Sequence, residues 1–304
     1  MLPDRAYRIV RTGSCARHRE RTPAHTPGGR TVASVFPPSL SPSRANDFMT
    51  CPLLYRLRVI DKLPERPSAA ALRGTLVHSV LEELFTVPAE QRTSGKATTL
   101  IARHWDRMRV ETPEDAEILA EGINLEEPTD IADAVIAPIQ PLLEAYFTLE
   151  DPRRVEPHAR EMGVSTELPT GLSLRGYIDR VDISPTGLVR LVDYKTGRSP
   201  GAGFEAKALF QMRFYALLWW RTADQIPARL ELLYFGDGQR ISYEPTEDEL
   251  RATERKIMAL SEAIARAAIH GFTATPSALC KWCSFQDACP EFGGHTPPMP
   301  ALPE

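Results

Sequence analysis

The sequence predicts an α/β protein, and three patterns carry that prediction. Leu76, Val77, Val80, Leu81 and Leu84 recur at the spacing of a helix with one buried stripe. Residues 164–195 switch to the period-two alternation of strands and contain a turn signal, Ser184-Pro185-Thr186-Gly187. Helical and strand patterns then alternate again up to residue 270. With 304 residues and 42% hydrophobic content, the chain can bury a substantial core, and its length allows one large domain or two smaller ones.

The first element is a short helix opened by Ser41-Pro-Ser-Arg-Ala-Asn-Asp-Phe. Ser41 can cap it, and Pro42 suits the first helical position, where its missing N–H has no intrahelical partner anyway. This helix delivers Cys51. The striped helix follows from Arg73 and carries His78 on its flank, where that side chain can also serve as a satisfied histidine at a core boundary. Residues 97–109 and 131–148 read as helices, the second kinked or split by Pro138 and Pro141.

Strands are expected at 172–183 and 188–195. Pro185 suits the second position of a type I turn and Gly187 the left-handed residue after it, which makes a three-residue hairpin loop with a bulge. A helix at 204–222, strands at 228–236 and 239–244, and a long helix at 247–270 complete the pattern. Thr246 and Glu249 form a capping box at the start of that last helix, and Gly271 stops it. No internal repeat is visible.

Residues 1–38 are rich in Arg and lack apolar periodicity, so they read as a disordered tail or a misassigned start, and the Pro-rich stretch 296–304 reads as a second tail. No apolar run approaches the roughly 18 residues that span a bilayer, and no apolar segment precedes Thr31 as a secretion signal would require. A cytoplasmic protein is expected. The net charge of −4 neither favours nor excludes a polyanion partner.

Five cysteines in such a chain read as metal ligands or free thiols before disulfides. Cys280, Cys283 and Cys289 lie together, and Cys51 stands alone far upstream, which suggests a clasp joining the two ends of a domain. Cys15 lies in the first tail and is expected to be a free thiol. A zinc site of four cysteines competes with an iron–sulfur cluster, because C-x2-C is also zinc spacing, although zinc usually takes two close pairs. Closing so long a loop stabilises through chain entropy whether or not the clasp does redox chemistry. Trp282 and Phe285 can shield it from solvent.

The hairpin presents the chemistry. Centred on Thr186, it sets Asp179 opposite Asp193, about 5 Å apart at their Cα atoms, and Lys195 projects from the same face as Asp193. Two carboxylates that close repel unless a cation lies between them, and hard oxygen ligands suit Mg2+ or Mn2+. Lysine beside such an ion can orient a water or stabilise charge on a phosphate. The same residues also allow plain ion pairs, Asp179 with Arg180 or Arg175 and Asp193 with Lys195.

Gly176-Tyr-Ile-Asp179-Arg-Val-Asp, Asp193-Tyr-Lys195-Thr-Gly and Gln211-Met-Arg-Phe-Tyr215, preceded by Gly74-Thr-Leu-Val-His78, resemble the RecB-type branch of the PD-(D/E)XK nucleases. That branch includes the CRISPR-adaptation exonucleases and the AddB nuclease domain. The resemblance runs from Ser41 to Pro290 and includes the cysteine layout, since iron–sulfur members place one Cys before the His and three after the last motif.

It implies a restriction-endonuclease-like core, a mixed β-sheet flanked by helices, in a domain of residues 39–295 whose ends a 4Fe-4S cluster joins. It also implies His78, Asp179, Asp193 and the Tyr194 carbonyl as Mg2+ or Mn2+ ligands, Lys195 as the catalytic lysine beside Asp179 and Asp193, and Gln211 and Tyr215 as positioning residues. Cys51, Cys280, Cys283 and Cys289 would hold the cluster.

The expected function is a metal-dependent DNA exonuclease acting on single strands or DNA ends in repair, recombination or CRISPR adaptation. A helicase or other repair proteins are possible partners. The alternatives are a DNA-end-binding iron–sulfur module and the nuclease subunit of a larger helicase–nuclease complex, since the chain has no P-loop of its own.

Overall fold

The computed structural model describes residues 36–37, 39–121, 128–201 and 206–300. The chain opens with β1 (Ser39–Leu40), α1 (Pro42–Thr50) and α2 (Pro52–Tyr55), which continues as a turn of π-helix at Arg56–Ile60. Then come α3 (Ala69–Leu84), α4 (Ser94–Glu111), α5 (Pro113–Ala120), α6 (Pro128–Ile136) and α7 (Gln140–Leu149). The sheet region holds β2 (Ala159–Glu167), β3 (Ser173–Ile183), β4 (Val189–Lys195), α8 (Ala206–Ala223), β5 (Arg229–Tyr234) and β6 (Gln239–Tyr243). The last long helix is α9 (Glu247–His270), and three one-turn helices follow at Ala278–Trp282, Gln286–Ala288 and Pro290–Phe292.

The strands form one mixed six-stranded sheet in the order β1-β3-β4-β5-β6, with β2 on the other edge of β3. β1–β3 and β4–β5 are parallel, and the remaining pairs are antiparallel. The parallel step from β4 to β5 needs a crossover, and α8 supplies it.

Helices cover both faces. On one face, Leu191 of β4 and Leu230 and Leu232 of β5 pack with Phe214, Leu217 and Leu218 of α8 and Leu250 and Ile257 of α9. On the other, Val192 and Tyr194 of β4 and Leu233 of β5 pack with Leu76, Val77, Val80 and Leu81 of α3 and with α4 and α7. The alternation of strand side chains thus divides β4 and β5 between two cores.

The helix signals read from the sequence operate as expected. Ser41 accepts a hydrogen bond from the Arg44 N–H at 3.3 Å, and Thr246 and Glu249 form a reciprocal capping box. Gly271 ends α9 at φ 104°, and the proline-bearing stretch after Ile136 separates α6 from α7. The β3–β4 register is that of a hairpin centred on Thr186, with Ser184 N–H bonded to Leu188 O at 2.9 Å and Gly187 at φ +81°.

Other features differ from expectation. The sheet begins earlier than residue 164: β2 starts at Ala159, and β1 is a two-residue strand too short to leave a periodic pattern. α5 was not expected, although Pro113, Glu114 and Asp115 supply an acidic, proline-led first turn. Residues 296–300 form neither helix nor strand. Thr296 donates to Ala288 O at 3.0 Å, Arg56 donates to Pro297 O, and Met299 packs against the α8–α9 core. Almost all of the N-terminal stretch 1–38, with Cys15, lies outside the described residues.

β2 and β3 carry one break in alternation. Leu174, Ile178 and Val181 all enter the α8 core, as do Val164, Met162 and Ala159, so each strand changes face within a three-residue step. In both strands that step contains the facing pair Glu161 and Asp179, which the β2–β3 ladder skips between Arg160↔Arg180 and Met162↔Ile178.

Candidate active site at the fork of β3 and β4

β3 and β4 pair from Ile183↔Val189 as far as Arg180↔Val192 and then separate. Beyond Val192, β4 remains paired only with β5, through Asp193↔Leu232 to Lys195↔Tyr234. Asp179 and Asp193 therefore stand one step past the last β3–β4 pair, at the mouth of a fork. The Tyr194 N–H donates to Asp179 Oδ2 at 2.6 Å, so the Asp179 side chain accepts an amide that continued strand pairing could have used.

Asp193 and Lys195 project toward α8, the opposite side from the Val192 and Tyr194 side chains. Lys195 Nζ lies 2.6 Å from Asp193 Oδ2 and donates to Gln211 Oε1 at 3.1 Å. Gln211 Nε2 donates to Asp193 Oδ1 at 3.1 Å and to the Tyr215 hydroxyl at 3.2 Å. One amide thus ties together the acid, the lysine and the tyrosine, which explains the one-turn spacing of Gln211 and Tyr215. Gly176 makes room for this arrangement, since a Cβ there would come within 2.9 Å of the Tyr215 ring.

His78 reaches the fork from α3. Its Nδ1 lies 3.7 Å from Asp179 Oδ2 and 3.7 Å from Glu161 Oε1, and its ring meets the Tyr194 ring edge-on at 5.8 Å. Among the described residues, His78, Glu161 and Asp179 are the one trio of metal-capable side chains whose ligand atoms lie within 4.8 Å of one another. The structure therefore brings His78 to Asp179 as the sequence implies and adds Glu161 from β2. The Asp193 carboxylate is drawn toward Lys195 and Gln211 instead. Arg180 does not pair with Asp179: it is fully buried and forms a two-pronged pair with Glu150 at 2.6 and 2.8 Å.

The electrostatics call for a cation. Burial, then the negative charge of Asp193, pushes the Asp179 carboxyl up to about 7, against the opposing effects of His78 and the Tyr194 N–H. Burial pulls the His78 imidazole down, but the contact to Glu161 and the charges of Asp179, Glu161 and Asp193 outweigh it, so the net shift is upward. The buried Asp193 Oδ2 has the Lys195 ammonium at 2.6 Å. A hard divalent cation held by carboxylate oxygens and an imidazole fits this donor set.

A cavity of about 290 Å3 opens beside Gln211, lined also by Asn46, Arg198, Lys207 and Tyr234.

Cys51, Cys280, Cys283 and Cys289 line a second cavity, of about 60 Å3, walled by Leu53, Leu57 and Phe285. The Thr275 N–H donates to Cys51 Sγ at 3.4 Å and the Ser277 N–H to Cys280 Sγ at 3.2 Å. No three of these sulfurs lie within 4.8 Å of one another. Phe285 is buried against the cysteines as expected. Trp282 is 71% exposed with Lys281 over its ring, so it shields nothing.

The Gene 69 protein of Mycobacterium phage D29 is 29% identical over 180 residues, which cover 55% of this chain and 66% of that protein. The Gene 69 protein of Mycobacterium phage L5 is 28% identical over 306 residues, covering 86% of this chain and 99% of that protein. A solved structure from Eubacterium rectale, described as a "Putative exonuclease", superposes with a TM-score of 0.52 at 14% identity, over 91% of this chain and 97% of that one, and so shares the fold. The model of the PD-(D/E)XK nuclease superfamily matches residues 39–290, the span that contains the fork, α8 and the four clustered cysteines, and the chain belongs to that superfamily.

Proposed function

We propose that this chain is a RecB-type, metal-dependent DNA exonuclease that hydrolyses phosphodiester bonds in single-stranded DNA or at DNA ends. The observation that carries the reading is the separation of β3 and β4 at Asp179 and Asp193, with Lys195 and Gln211 in contact with Asp193. Mg2+ or Mn2+ held by His78, Asp179, Asp193 and the Tyr194 carbonyl would supply Lewis-acid polarisation of the phosphate and lower the pKa of a bound water.

The chain's own residues do the rest. Lys195 directs its ammonium into the fork, where it orients the attacking water and offsets charge building on the phosphate. Gln211 fixes Lys195 and Asp193 together, so neither needs to find its position during the reaction. The Tyr215 hydroxyl anchors Gln211 from beneath, and the Tyr194 N–H holds Asp179 in place. Arg198 and Lys207, in the cavity beside Gln211, offer positive charge along which a strand's phosphates can run.

Four cysteine sulfurs around one cavity support a 4Fe-4S cluster as the clasp between α1–α2 and the segment after α9. That clasp is a structural element on this reading, separate from the metal at the fork.

End-labelled single-stranded and duplex oligonucleotides provide the test. Release of terminal nucleotides with Mg2+ or Mn2+, abolished by a chelator, is the expected result. A chain that holds DNA ends and cuts nothing under any metal would be an end-binding module instead.

A further inference from the structure

Glu161 stands out on two counts unrelated to the sequence motifs. Among the described residues three non-glycine residues have positive φ; Lys62 and Asp224 lie outside strands, and Glu161, at φ 43°, lies within β2. Such a backbone is unfavourable for a residue with a Cβ, and it persists only where its surroundings impose it. The strain falls at the step where β2 and β3 both change face, opposite Asp179. Its consequence is that the Glu161 carboxylate reaches His78 Nδ1 at 3.7 Å and joins His78 and Asp179 within 4.8 Å. The side chain remains 34% exposed, open to an incoming ion.

We infer that Glu161 is a further ligand of the divalent metal at the fork, supplied by β2 on the His78 side. This rests on the nuclease reading of the site. It gives the ion a carboxylate from each of β2 and β3 and an imidazole from α3. Asp193, which would also be a ligand on this reading, holds Lys195 at 2.6 Å. The left-handed backbone at Glu161 is then the conformational cost of aiming a β2 side chain at the ion.

Mn2+ titration of the full chain by calorimetry, together with thermal unfolding in the absence of metal, tests this on wild type, Glu161→Gln and Glu161→Gly. Both variants should bind Mn2+ about ten-fold or more weakly. Glu161→Gly should unfold at or above the wild-type temperature, because glycine accepts φ 43° without strain. Wild-type affinity in both variants overturns the inference and leaves the nuclease reading standing. Weaker binding accompanied by a lowered unfolding temperature in both variants also overturns it, since Glu161 would then be a packing residue. Absence of Mn2+ binding in wild type itself defeats the nuclease reading and the inference together.

Discussion

The Tyr194 backbone amide holds the Asp179 carboxylate at 2.6 Å, and this bond links β4 to β3, the strand it has just left. β3 and β4 stop pairing at Arg180↔Val192, and side-chain chemistry replaces the ladder from there on. The fork is therefore fixed on both sides, with Asp179 tied to β4 and with Asp193 and Lys195 tied to α8 through Gln211.

Lys195→Ala should lower the single-turnover cleavage rate by about 10^2- to 10^4-fold, the range for loss of a positioned proton-handling group. Mn2+ affinity should stay near wild type, because no ligand is removed. Gln211→Ala should cost less, about 10- to 100-fold in kcat, since it releases Lys195 without deleting it. Rapid-quench kinetics and calorimetry on the same preparations separate these effects.

Gly176→Ala places a Cβ within 2.9 Å of the Tyr215 ring and 3.2 Å of Leu218. Overpacking of this kind costs about 1–3 kcal/mol and would displace the tyrosine that anchors Gln211. Urea denaturation should show the stability loss, and cleavage should fall with it.

Glu150 and Arg180 form a buried ion pair that also takes in Arg190 and Asp182. Burial alone would raise the Glu150 carboxyl, but Arg180 and then Arg190 outweigh it and hold it below its usual range. A carboxyl depressed in the folded state contributes stability that is present above its unfolded pKa and is lost as pH falls through the folded one. Chain stability should therefore drop on acidification below the ordinary glutamate range. Glu150→Gln, which leaves Arg180 with Asp182 as its carboxylate partner, should cost about 1–3 kcal/mol at neutral pH and flatten that acid limb. Denaturation curves across the acid range check both.

Anaerobically purified protein should contain about four irons and four sulfides per chain, as a cuboidal cluster requires. Cys51→Ser should lose them and unfold more readily by about 2–5 kcal/mol, the range for opening a covalent staple over a long loop. Cys15→Ser should change neither. Stoichiometric zinc in place of iron would contradict the cluster.

Much of the site was legible because turn chemistry is local. Pro185 and Gly187 set the hairpin centre, and the centre brings Asp179 and Asp193 to the same end of the paired segment, one step past its last pair. The cap at Ser41 and the box at Thr246 and Glu249 are local in the same way.

Glu161 was not legible. It is one acidic residue in a stretch whose strand character the pattern missed, and it reaches His78 through a backbone conformation that no residue type announces. The face change in β2 and β3 escapes alternation for the same reason, since Ile178 and Val181 enter one core from a spacing that predicts opposite sides. Trp282 and Phe285 look alike beside the cysteines, and only packing against Leu53 and Leu57 distinguishes the buried one.

The central claim is that the fork carrying Asp179, Asp193 and Lys195 hydrolyses phosphodiester bonds. Asp193→Ala compared with wild type on a labelled single-stranded oligonucleotide, with Mn2+ and with chelator, tests it most directly. Wild type should cleave only with metal and Asp193→Ala should be slower by about 10^3-fold or more. Equal cleavage by the two proteins, or cleavage by wild type in excess chelator, would contradict the account.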